Sequence, residues 1–128
     1  MSRGQLGRQM ALKMLSSNDL EGFVDRTVRN FLDLFVLDLL RDTSRHGYEL
    51  MQRLGDRTGT RVSPGTLYPL LYELEEQGLV LGKWANPECR DRRVYSITSK
   101  GLSYHLHSLR SIAELLPPKS RPGEQLKP

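Results

Sequence analysis

Residues 63–78 constrain this chain more than any other segment. Ser63 offers a hydroxyl N-cap and Pro64 fills the first helical position, where the missing N–H costs nothing. Leu67, Leu70, Leu71 and Leu74 follow at i, i+3, i+4 and i+7, and Gly78 is suited to stop the helix. The buried leucines push Gly65, Pro69, Tyr72 and Glu76 to the outward face, with Ser63, Thr66 and Tyr68 near the N-terminal end. A capped helix whose N-terminal half displays small, hydroxylated and aromatic groups needs a partner for that face.

The flanking segments narrow the fold. Residues 20–42 read as one helix, capped by Asn18 or Asp19, with Val24, Val28, Phe31, Leu32, Phe35, Val36, Leu39 and Leu40 on a face too broad for one small core. Such a face serves its own domain and a second element, here assigned to another subunit. Thr43-Ser44-Arg45 reads as a turn that caps a helix over 46–57, with Tyr48, Leu50, Met51 and Leu54 inward, and Gly59 as its left-handed terminus. Residues 79–85 and 93–97 have strand-like content around the turn dipeptide Asn86-Pro87, which predicts a hairpin with a protruding loop. Thr98 can cap a last helix in which Leu102, Leu106, Leu109, Ala113 and Leu116 are spaced 4, 3, 4, 3. That heptad seam favours helix pairing.

Outside this frame the pattern weakens. Leu6, Met10 and Met14 recur every four residues, with Leu12 and Leu15 beside them, and suggest a short helix over 5–15. Pro117-Pro118 ends the last helix, and the remainder through Pro128 reads as a disordered tail. The division expected is an N-terminal extension over 1–20, a core domain over 21–98, a dimerisation helix over 99–116 and a tail over 117–128. The fold class is mainly α, of α+β type.

With 128 residues the chain buries one modest core, which disfavours a two-domain enzyme with a deep cleft. A net charge of +4 and a pI near 9.5 favour polyanionic partners without singling one out. A single cysteine, Cys89, rules out an internal disulfide framework and cannot alone anchor zinc. Cys89 lies beside Arg90 on the hairpin loop, but no resolving thiol exists and it reads as an ordinary reduced thiol. The apolar run 34–40 is far too short to span a membrane, and the N-terminus lacks a secretory pattern, so a cytoplasmic protein is expected. His46, His105 and His107 do not converge at ligand spacing, no nucleophile has an adjacent base, and no phosphate-cradling loop is present. Neither a metal, a cofactor nor an enzymatic activity is expected.

Helix, turn, helix, strand, basic loop, strand is the order of a winged helix-turn-helix. Helix 63–77 then takes the recognition position, with Ser63, Pro64, Gly65, Thr66, Tyr68 and Pro69 as its DNA-facing residues. It contains no Arg or Lys, and Glu73, Glu75 and Glu76 crowd its far half. Only its first two turns can enter a groove, and readout must use hydroxyls, backbone, thymine methyls or DNA shape. Positive charge comes from the hairpin, where Lys83, Arg90, Arg92 and Arg93 outweigh Glu88 and Asp91, and from Arg61, Arg53 and Arg57 near the turn between helices. Trp84 reads as a packing residue at the root of that wing. Phe31, Phe35, Leu102, Leu106, Leu109, Ala113 and Leu116 are the expected dimer contacts. The alternative is a winged-helix protein-interaction module that reads no DNA.

The chain closely resembles the PadR family of transcriptional regulators in HGYEL at 46–50, SPGTLYPLLYELEEQGLV at 63–80 and RRVYSITSKG at 92–101. The resemblance covers about residues 32–116. It implies a winged helix-turn-helix homodimer on pseudo-palindromic operator DNA, generally a repressor, often released by a small molecule or stress signal. It places the recognition helix on 63–77, the wing on 83–93 and the dimerisation helix on 99–116. The short C-terminal region is similar to the smaller subgroup, in which a tryptophan on the dimerisation helix stacks on flat aromatic drugs. Here Trp84 is on a wing strand and that helix offers Tyr104, His105 and His107 instead, so drug stacking by that route is not expected.

Overall fold

The computed structural model describes residue 14, residues 16–88, residue 90 and residues 92–119. The expected helix over 5–15 (Met14 apart), Cys89, and the tail from residue 120 lie outside the described residues. Among the described residues the elements run α1 Ser17–Asn30, α2 Leu32–Leu40, β1 Arg45–His46, α3 Gly47–Thr58, α4 Pro64–Glu76, β2 Val80–Trp84, β3 Arg93–Ile97 and α5 Ser99–Leu115. The chain is mainly helical, with a small antiparallel sheet in the order β1-β3-β2.

The single helix read over 20–42 is two helices. Phe31 leaves the helical region at φ −116° and ψ 28°, while its N–H still bonds the Thr27 carbonyl at 3.0 Å. The break separates two environments: in α1 only Val28 is buried, whereas α2 buries Leu32, Leu34, Val36, Leu37, Leu39 and Leu40. The cap also lies earlier than expected, since Ser16 and Asp19 form a reciprocal capping box in which each side chain accepts from the other's N–H at 3.1 Å.

At α3 the cap is His46, whose Nδ1 accepts from the Glu49 N–H at 3.2 Å, rather than the preceding turn. Arg45 and His46 instead form β1, pairing with Tyr95 and Val94. The Arg45 Nε donates to the Leu39 carbonyl at 2.8 Å, satisfying an orphan acceptor at the end of α2. Gly47, Leu50 and Leu54 face inward, which turns Tyr48 outward to 61% exposure, against the inward reading. Gly59, at φ 72°, ends the helix as expected.

α4 buries Leu67, Leu71 and Leu74 and half-buries Leu70. Ser63 has N-cap backbone geometry, but its hydroxyl lies 3.2 Å from the Thr66 hydroxyl and caps no backbone N–H. The chain reverses at Gly78, φ 75°, into the β2–β3 hairpin, whose register pairs Val80 with Ile97 and Trp84 with Arg93. Leu37, Leu40, Leu50, Leu54, Leu67, Leu71, Val36 and Val80 fill the core, covered on the sheet side by Tyr95. Thr98 caps α5 as read, accepting from the Gly101 N–H at 3.0 Å and donating to the Gly78 carbonyl at 2.6 Å.

Candidate nucleic-acid interface

Opposite the buried Leu67, the outer side of the first two turns of α4 is open: Ser63, Pro64, Gly65, Thr66, Tyr68 and Pro69 are all exposed. Pro69 sits within the helix, where it cannot donate to the carbonyl of the exposed Gly65. Tyr68 is less free than its neighbours. A Cβ on Gly47 would lie 2.7 Å from its ring and hydroxyl, so the ring rests on the bare backbone at the start of α3. Among the described residues of α4 there is no cation, and Glu73 and Glu76 are exposed in its second half. Tyr72 points the same way, its hydroxyl held above the usual phenol range chiefly by a hydrogen bond to Glu76.

The cations surround this face without being equivalent. Lys83, Arg90 and Arg92 are exposed on the hairpin. Arg90 adopts a left-handed backbone, φ 49°, and its N–H bonds the Asn86 carbonyl at 2.9 Å, closing the loop tip. Arg92 and Tyr68 line one cleft of about 450 Å³, together with Trp84 and Tyr95. On the other side Arg61 shares a cleft of about 410 Å³ with Ser63 and Thr66. Arg61 has no ion pair among the described residues, whereas Arg53 bonds Glu49 at 3.2 Å and Arg57 is bonded to Asp38.

Arg93 lines the same cleft as Arg92 and is partly exposed, but it is tied down. Its Nη2 donates to Glu75 on α4 at 2.6 Å and to the Gly82 carbonyl at 3.3 Å, and its guanidinium carbon lies 5.6 Å from the Trp84 ring centroid. The structure therefore groups Lys83, Arg90 and Arg92 as the available wing charges and joins Arg93 to α4. Nothing in the local sequence separates Arg93 from Arg92.

The expected pairing surface is open. Leu102, Leu106 and Leu109 are 42–47% exposed along α5, Ala113 is exposed, and Leu116 lies at the C-cap, one residue past the helix. Phe31, Phe35 and Leu109 border an apolar cavity of about 290 Å³. His105, at 5% exposure, lines the same cavity, its Nε2 3.4 Å from Asp38 on α2. Tyr104 donates to Asp33 at 3.0 Å, and that bond, with some burial, raises its hydroxyl above the usual range. Among the described residues no three His, Cys, Asp or Glu side chains gather as a metal site, and no helix is long and apolar enough to cross a membrane.

Comparison with known proteins agrees with this geometry. Residues 36–105 match the model of the transcriptional regulator PadR-like family. The transcriptional regulator Rv3488 of Mycobacterium tuberculosis is 42% identical over 82 residues, 64% of this chain and 76% of that protein. A PadR family transcriptional regulator from Eggerthella lenta superposes with a TM-score of 0.60 at 29% identity, over 90% of this chain and 86% of its own. A transcriptional regulator from Clostridium thermocellum shares the fold, with a TM-score of 0.64 at 23% identity over 70% of this chain and 90% of its own. With more than half its length inside the family model and its exposed helix and basic hairpin in place, the chain belongs to the PadR-like family of transcriptional regulators.

Proposed function

We propose that this protein is a non-enzymatic, cytoplasmic, homodimeric repressor that binds a pseudo-palindromic operator in double-stranded DNA through the α4 face and the wing. The observation that carries the reading is the shared cleft of Tyr68 and Arg92, which places a helix residue suited to a groove beside a cation suited to a phosphate. Arg61, Ser63 and Thr66 provide the matching flank on the other side. Pairing through the open seam of α5, with Phe31 and Phe35 beside it, would set two α4 helices about 34 Å apart, one turn of DNA. The same reading includes a small-molecule inducer, for which the apolar cavity beside Phe31 and Leu109 is the first place to look. Residues 21–98 act as the DNA-binding unit and 99–116 as the dimerisation helix.

The absence of Arg and Lys from α4, with Glu73 and Glu76 exposed on it, favours a second reading as a protein-docking module. Fluorescence anisotropy against duplexes from upstream of the protein's own gene, compared with random duplex at two salt concentrations, separates the two. The regulator reading requires selective binding that weakens steeply with salt, because neutralised phosphates release counterions. Weak binding, equal on all duplexes, from a confirmed dimer would favour docking.

A further inference from the structure

We propose that Arg93 is a positioning residue for the wing, and that the Glu75–Arg93–Trp84 arrangement fixes the angle between the wing and the recognition helix. The inference rests on the DNA-binding reading above and names a device within that site.

Four observations converge on it. Glu75 lies on the last turn of α4 and Arg93 opens β3, so the 2.6 Å bond joins the two elements expected to meet DNA. The guanidinium also reaches the Gly82 carbonyl and covers the face of Trp84, its partner across the hairpin, so both wing strands are held. The bridge passes directly over Gly82: a Cβ there would lie 2.5 Å from the Glu75 Oε1 and 2.6 Å from the Arg93 Nε. A glycine in a strand weakens it, and this one has a spatial reason to be there. Finally, the Arg93 Nε is buried with no hydrogen-bond partner, so the side chain holds this place at the cost of one unsatisfied donor.

Glu75→Gln provides a test in which two models predict opposite signs. If Arg93 were a phosphate contact, removing a carboxylate beside it would free the cation, lower the negative charge of α4 and tighten binding to a polyanion. If Arg93 positions the wing, Glu75→Gln weakens operator binding, roughly 5- to 10-fold, despite the more favourable charge. Arg93→Lys keeps the charge but loses the planar fork, and weakens binding similarly. Gly82→Ala displaces both side-chain ends and does the same through a different atom. In all three the slope of log K against log salt stays at the wild-type value, whereas Arg92→Ala lowers it by about 0.9 per lost phosphate contact.

Trp84 is the only tryptophan in the chain, so intrinsic fluorescence reports the bridge directly. Its emission changes in the free Glu75→Gln and Arg93→Lys proteins, with thermal midpoints close to wild type. Tighter or unchanged operator binding by Glu75→Gln overturns the proposal. Wild-type protein that binds no duplex would instead sink the DNA reading, while Trp84 emission would still show whether the bridge forms.

Discussion

Two glycines with similar surroundings on paper differ in what a methyl group would strike. At Gly47 it meets the ring of Tyr68, the far end of a side chain that can swing away. Gly47→Ala should therefore fold with nearly wild-type thermal stability and yet lose operator affinity by about fivefold or more, as Tyr68 leaves its seat. At Gly101 the methyl meets the Leu79 carbonyl at 2.1 Å, a backbone atom within the β2 approach. Gly101→Ala should cost about 1–3 kcal/mol and lower the melting temperature by roughly 5–15 °C. Differential scanning calorimetry and anisotropy on the two variants check both outcomes. The sequence did show which glycines end helices, because Gly59 and Gly78 follow periodic runs and take positive φ. It could not show why Gly47, Gly82 and Gly101 are glycines, since their neighbours come from elsewhere in the chain. The tie from Arg93 to Glu75 was hidden for the same reason.

At the level of elements, α3, α4, the hairpin strands and α5 were legible because each carries both a period and a terminating signal. The break at Phe31 was not, because the apolar pattern runs through it and only the change from exposed α1 to buried α2 reveals it. β1 is two residues long and exists through its pairing with β3, beyond the reach of any local pattern. The junction of β1 and α3 carries a pH consequence. Burial alone would raise the Glu49 carboxyl, but its hydrogen bonds and charge interactions with Arg45 and Arg53 outweigh that and hold it below the usual range. A depressed carboxylate stabilises the fold above its unfolded pKa of about 4.3, and that contribution disappears as pH falls through the lower folded value. The melting-temperature gap between wild type and Glu49→Gln should thus be present at neutral pH and close on acidification below about pH 4.

Across the whole molecule, one carboxylate joins three helices. Asp38 on α2 bonds Arg57 of α3 and lies 3.4 Å from His105 of α5, so α5 is anchored to the domain at His105 while Leu102, Leu106 and Leu109 remain exposed. Glu at Leu106 and Leu109 should leave the monomer folded, abolish the dimer in light scattering and reduce operator affinity. A dimer that survives both charges would refute the seam. The heptad was readable in sequence because its spacing is regular. The anchor at His105 was not, because a histidine beside a heptad gives no sign of being buried. Finally, β1 pairs Arg45 with Tyr95, about fifty residues downstream. On the ribosome, α2, α3 and α4 must therefore emerge and wait, without Tyr95 to cover their sheet side, until the last strand clears the exit tunnel. Non-local pairing of this kind slows folding and prolongs the exposure of apolar surface. A chain truncated before residue 93 would retain α1 to α4 and still be expected to engage chaperones.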